Sequence, residues 1–207
     1  MRLPAVIGVI FLMGAGAAGA SMPLKIDERR SQIEVEVHAT AHRFTALLGA
    51  FTSTVMADAE MGHVTDAHLV FHFADLTTGN QARDRAMQEW QQTAEFPDGD
   101  FALATLVPVG GGHFIAHGRL TLHGCARELG FPVSITTDRK IYAIDGAVLL
   151  DTRDYGLPVI RKLGVLRVNP KVTVRFHVQG SLVVAESVQG SPPRSVDGKK
   201  TSWSLMR

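Results

Sequence analysis

Apolar and polar residues alternate along most of this chain. From Gln32 to His38, Ile33, Val35 and Val37 fall between Gln32, Glu34, Glu36 and His38. Side chains of a strand point alternately to opposite faces, so the run predicts a strand buried on one side. From Phe114 to Leu122, the residues Phe114, Ala116, Gly118, Leu120 and Leu122 alternate with His117, Arg119 and Thr121. The apolar set resumes at Leu129, Phe131, Val133 and Ile135. A turn at His123-Gly124-Cys125-Ala126 joins these runs as a β-hairpin, with a turn type that the residues leave open. Lys140–Leu150 places Tyr142, Ile144, Val148 and Leu150 on one face. Lys171–Val184 does the same with Val172, Val174, Phe176, Val178 and Leu182. Further strands are predicted over 50–58, 68–74 and 101–108. Residues 42–49 break the alternation and predict a helical turn.

The period changes once. From Thr77 to Trp90, the residues Ala82, Ala86 and Trp90 recur four apart with Met87 beside them, which predicts one helical face. Asn80 or Thr78 is placed to cap it. About eight antiparallel strands and one short helix make an all-β fold. Eight strands can close into a barrel that either fills with side chains or holds one small ligand. The alternation is the same in both cases.

Composition narrows this picture. The 207 residues suit one domain with a tail. Arg2, the apolar run Leu3–Met13 and the small residues ending Ala18-Gly19-Ala20 have the layout of a signal peptide, with cleavage expected before Ser21. The run is too short for a stable membrane anchor. Loss of Arg2 leaves twenty basic and twenty acidic residues, so no basic field invites nucleic acid. Cys125 is the only cysteine, which excludes an intramolecular disulfide. After Ala185 the chain turns to Ser, Gly, Pro and Lys. The domains are therefore read as a signal peptide (1–20), a barrel domain (21–185) and a disordered polar tail (186–207).

Three motifs carry a family resemblance. Gly118-Arg-Leu-Thr-Leu-His-Gly-Cys-Ala-Arg-Glu-Leu129 resembles the "G-x-LT-x-HG-x-T" hairpin of the YceI-like, polyisoprenoid-binding periplasmic proteins. Thr78-Gly-Asn-Gln-Ala-Arg-Asp84, followed by Phe96-Pro97 and Phe101, is similar to that family's "TG-N-x-x-RD" and "FP-x-x-x-F". Arg153-Asp-Tyr-Gly156 resembles its "R-x-D-(Y/F)-G" loop. Ala126 stands where the family often has Thr, and His38-Ala-Thr-Ala-His42 replaces a common "H-x-G". The resemblance implies a lipocalin-like eight-stranded barrel in the periplasm, binding a polyisoprenoid or isoprenoid quinone in an apolar interior, with no cofactor.

On that reading the lining is Phe114, Leu120, Leu122, Leu129, Phe131, Val133, Tyr142, Ile144, Val174 and Phe176, with Trp90 from a helix covering the mouth. Arg83, Arg153 and Arg161 are head-group candidates, because a guanidinium offers a fork of donors to phosphate or quinone oxygens. His68 with His72, and His113 with His117, share faces four residues apart. They support the alternative of an exported metal-binding barrel, although His38, His68, His72, His117, His123 and His177 all fall on the polar side of their strands. No metal is expected in the cavity. Without G-x-S-x-G, H-E-x-x-H or a phosphate loop, an enzyme is not expected, and a hydrolase is the weakest reading. A homodimer is compatible with the sequence.

Overall fold

The computed structural model describes residues 21–40, 42–60, 62–162 and 166–183. The expected signal peptide and the expected polar tail from 186 onward lie outside the described residues. In chain order the elements are β1 (Ser21–Ile26), β2 (Gln32–His38), β3 (Arg43–Leu48), β4 (Thr52–Asp58), β5 (His63–His72), β6 (Leu76–Thr77), α1 (Gln81–Gln91), β7 (Asp98–Gly110), β8 (His113–Leu122), β9 (Cys125–Asp138), β10 (Ile141–Asp151), β11 (Arg161–Lys162), β12 (Leu166–Arg167) and β13 (Lys171–Leu182).

Strands β1, β4, β5, β7, β8, β9, β10 and β13 pair in that order, all antiparallel, and β1 pairs back to β13 through Leu24↔Leu182, Lys25↔Ser181 and Ile26↔Gly180. The sheet is thus a closed eight-stranded barrel, as the alternation allows. Two of its staves are broken. β13 meets β2 along Thr173–His177 and β1 along Gly180–Leu182, so β1 and β2 share one edge. Between them a 3-10 turn (Glu28–Arg30) begins at Asp27, whose carboxylate accepts from Arg29 N. Asp27 N donates to Gln179 O at 2.8 Å and Gln179 N donates to Ser31 Oγ at 3.0 Å, which fastens the break to β13. In the same way β3 pairs with β2, and β4 with β1.

Three local expectations need correction. Residues 43–48 are strand β3 and not a helical turn. Phe44, Ala46 and Leu48 face inward, while Leu47 sits outside at 43% exposure and blurs the alternation. β1 escaped prediction because it is short and carries Pro23, which argues against a strand. The hairpin turn after Leu122 has only two residues, His123 and Gly124, at φ 48° and 69°. Two successive positive φ angles mark the type I′ family, whose twist suits a hairpin. Gly111-Gly112 and Arg139-Lys140 turn in the same way between β7 and β8 and between β9 and β10.

The core divides along the barrel axis. One end is packed solid by Leu24, Val55, Ala57, Val64, Ile135 and Tyr142. Tyr142 is 1% exposed and its hydroxyl donates to Asp58 O at 3.4 Å. The other end is where α1 and the segments around β11 and β12 gather.

Candidate functional site

A cavity of about 920 Å³ occupies the rest of the barrel. Its wall is built from inward residues of nearly every stave, among them Ile33, Leu69, Leu120, Ile144 and Val174. Aromatic rings on the same wall leave the lumen open because glycines face them. Phe71 lies opposite Gly99 and Phe176 opposite Gly146. A Cβ at Gly99 would meet the Phe71 ring at 2.2 Å, and one at Gly146 the Phe176 ring at 2.3 Å. Phe101 covers Gly118 at 2.6 Å in the same sense. Each ring therefore lies along the sheet instead of reaching across the barrel. Cross-strand aromatic–glycine pairs of this kind also hold register.

The helix closes the open end. Asn80 Oδ1 accepts from Arg83 N at 3.1 Å and caps α1. Asp84 accepts from Thr78 N at 2.8 Å and from the Thr77 and Thr78 hydroxyls, tying the helix to β6. These bonds hold the Asp84 carboxyl below the usual range, the Thr78 hydroxyl contributing most. Ala82, Ala86, Met87 and Trp90, the predicted helical face, all line the cavity. Trp90 Nε1 donates to Pro158 O at 2.7 Å and joins the helix to the loop after β10. At its last turn, His123 acts as a strut. Its Nδ1–H donates to Tyr155 O at 3.1 Å, Nε2 meets Gln92 Oε1 at 2.7 Å, and the ring packs on Phe96 at 4.3 Å. His123 is thus half-buried and structural, not a solvated outer histidine.

Eight of the eleven anticipated lining residues border the cavity: Leu120, Leu122, Leu129, Phe131, Ile144, Val174, Phe176 and Trp90. Phe114, Val133 and Tyr142 do not. They face inward as the alternation requires, but Tyr142 and Phe114 pack into the solid end and Val133 into the neighbouring Ala116–Phe131 cluster. Among the arginines, Arg83 and Arg161 border the cavity, and the Arg83 guanidinium lies 4.4 Å over the Phe44 ring. Arg153 does not. Its guanidinium grips Asp151 through Nε at 2.9 Å and Nη2 at 2.5 Å, holding that carboxyl down to about 2. It is a loop tie across the 3-10 turn Thr152–Tyr155. Tyr155 of that turn is buried against Leu120 and Leu150, with Cys125 packed beside them. Cys125 opens β9 and does not belong to the turn.

Outer-face carboxylates engage one of the two predicted histidine pairs, His68 with His72, and also His177. His68 Nε2 meets Asp100 at 2.6 Å, His177 Nδ1 meets Asp145 at 2.7 Å, and His72 is joined to Asp98. Each histidine is taken by a carboxylate on the next strand. Among the described residues no three His, Cys, Asp or Glu side chains converge to hold a metal ion. On the same face Glu36 is held below the usual carboxylate range, chiefly by its bond with Arg175.

The sequence profile of the YceI-like domain matches residues 24–180. The chain belongs to the YceI-like family. The match runs from Leu24 in β1 to Gly180 in β13, so it covers the barrel from seam to seam. No curated protein matches the chain. Among solved structures, BcnA of Burkholderia cenocepacia is 16% identical with a TM-score of 0.67, over 75% of this chain and 99% of that one. A polyisoprenoid binding domain from Saccharophagus degradans, implicated in plant cell wall breakdown, is 17% identical with a TM-score of 0.64, over 78% and 99%. The Campylobacter jejuni YCEI protein is 13% identical with a TM-score of 0.61, over 86% and 100%. At such identities the likeness is one of fold. In this YceI-like barrel the family motifs have structural duties: Thr78–Asp84 anchors the lid, His123-Gly124 turns the hairpin and braces the lid, and Tyr155 wedges the loop under it.

Of the features that matter here, periodicity misses what the inward glycines do and misses Gln91. Gly99, Gly118 and Gly146 at apolar-face positions were the available signal for a hollow barrel. Gln91, 2% exposed at the end of α1, carried no signal of its own.

Proposed function

We propose that this protein holds one polyisoprenoid or isoprenoid-quinone chain inside the barrel, as a carrier or store and not as an enzyme. The observation that carries the reading is the 920 Å³ lumen kept open by aromatic rings folded onto wall glycines. Its volume lies at the upper end of the roughly 300–1,000 Å³ usual for small-molecule pockets. Its wall is aliphatic and aromatic, which suits a hydrocarbon chain. Each ~100 Å² of apolar ligand surface taken from water contributes about 2.5 kcal/mol before ordering costs. Membership of the family, and a similar fold in a polyisoprenoid binding domain, support the same ligand class. Arg83 and Arg161 at the lidded end are the groups proposed to meet a polar head. His68, His72 and His177 are engaged by carboxylates, and among the described residues no three His, Cys, Asp or Glu side chains converge, so the metal reading has no support here.

We also propose export to the periplasm with cleavage before Ser21. Among the described residues every barrel strand lies at or after Ser21, so this cut removes none of them. The test of both is one preparation. The full chain is expressed in a bacterium, the periplasmic fraction purified, the N-terminus sequenced and the organic extract analysed by mass spectrometry. An isoprenoid near one per protein is expected. Folded protein with an empty extract that also takes up no added ubiquinone or polyprenol refutes the ligand reading, and protein retained in the cytoplasm refutes export.

A further inference from the structure

Among the described residues two buried side-chain polar atoms have no hydrogen-bond partner, Gln91 Nε2 and Thr93 Oγ1. Only Gln91 borders the cavity. It is 2% exposed, the one fully buried residue of α1. Buried amide groups are almost always bonded, because an unmet donor away from water is costly. A helix lid over an apolar lumen has no need of a carboxamide, and leucine or methionine would serve packing better. The unmet donor is therefore a feature to be explained by something that enters the lumen.

We propose that Gln91 is a polar anchor for the ligand, donating from its carboxamide to an uncharged oxygen, a carbonyl or hydroxyl, on an isoprenoid chain. The inference rests on the reading of the cavity as an isoprenoid site. Nε2 is shielded in the present rotamer, so the side chain turns about its χ angles toward the lumen to meet that oxygen. The lid is chemically graded. Arg83 lies eight residues earlier on α1, about 12 Å away along the helix axis. The cationic end suits an anion near the Phe44 side of the mouth. Gln91 is neutral and enclosed, and a lone neutral donor there suits an uncharged acceptor, since an enclosed phosphate would need paired charges.

The test is a competition. Purified protein is incubated with equal amounts of geranylgeraniol and the hydrocarbon of the same chain lacking the hydroxyl, re-isolated and extracted. Wild type is expected to retain the alcohol about tenfold over the hydrocarbon, the size of one good hydrogen bond. Gln91→Met is expected to bring that ratio near one while total uptake holds, and to raise the melting temperature without ligand by removing the unmet donor. Gln91→Leu serves as a second variant for the same ratio. Enrichment that survives both substitutions overturns the proposal. So does preferential uptake of geranylgeranyl pyrophosphate over the alcohol that Arg83→Gln abolishes and Gln91→Met leaves unchanged. Uptake of neither neutral probe by wild type overturns the cavity reading itself, and the anchor with it.

Discussion

Adding a single methyl group at Gly146 tests whether the wall glycines keep the barrel hollow. Gly146 on β10 faces Phe176 on β13, and a new Cβ would lie 2.3, 2.8 and 3.0 Å from three carbons of the ring. Ordinary contact begins near 3.4 Å, so the ring has to retreat by about 1 Å. It cannot retreat into the sheet. It swings into the lumen or pushes toward Phe131, whose ring stands edge-on to it at 5.9 Å. Overpacking of this kind costs roughly 1–3 kcal/mol. For a domain of this size each kcal/mol shifts the melting temperature by about 2–4 °C. Gly146→Ala is therefore expected to melt some 2–12 °C below wild type and to take up less isoprenoid, since a displaced ring occupies ligand space. Circular dichroism reads the first effect and extraction of a loaded sample reads the second. Phe176→Leu in the same chain relieves the clash, so the double variant is expected to be more stable than the two single costs added together. If Gly146→Ala melts like wild type and carries a full ligand load, the aromatic–glycine explanation of the lumen is wrong.

Three further outcomes follow from the lid and its supports. Trp90→Phe removes the bond to Pro158 O and is expected to cost about 1 kcal/mol and to speed ligand release in a stopped-flow chase; an unchanged release rate would separate the lid from gating. His123→Asn tolerates the positive φ of the turn but loses the strut to Tyr155, so chemical denaturation is expected to show a loss of roughly 1–2 kcal/mol, and a variant as stable as wild type would contradict the strut. Asp151 titrates in the fold at about 2, below its ordinary 3.8, so its contribution is complete above pH ~4 and disappears as the pH falls through 2; acid melts of Asp151→Asn are expected to lack that part of the decline, and parallel curves for the two proteins would dismiss the tie.

The strands were legible where inward positions carry apolar side chains and outward ones carry polar or charged groups, as in β2, β8 and β13. They were hidden where one residue contradicts the pattern: the exposed Leu47 in β3 and Pro23 in β1. A two-residue turn was hard to read at His123 because only glycine, asparagine or aspartate ordinarily advertises positive φ. Which inward residues meet a ligand was a different matter. Phe114 and Leu120 share one face of one strand, yet one plugs the barrel and the other lines it. The difference comes from β1 and β5, whose Leu24 and Val64 fill one end only, and that is tertiary information. Arg153 had a local signal in the Asp151 two residues before it, the spacing of a side-chain-capped turn. Gln91 had none, because its burial depends on the whole lid.

The broken first stave has a consequence for the order of assembly. The interruption at Glu28–Arg30 is stitched to β13 by the Ser31–Gln179 bond, across 148 residues of sequence. Every other seam of the barrel joins staves that are consecutive along the chain. Contacts so distant along the chain carry the largest loop-closure penalty and form slowly. β1 and β2 lie at the start of the barrel sequence and β13 is its last strand among the described residues, so the first stave keeps one edge unmatched until β13 joins it. The barrel is zipped along a line that joins its two ends, and a truncation that removes β13 leaves an open sheet with two bare margins where a container should be.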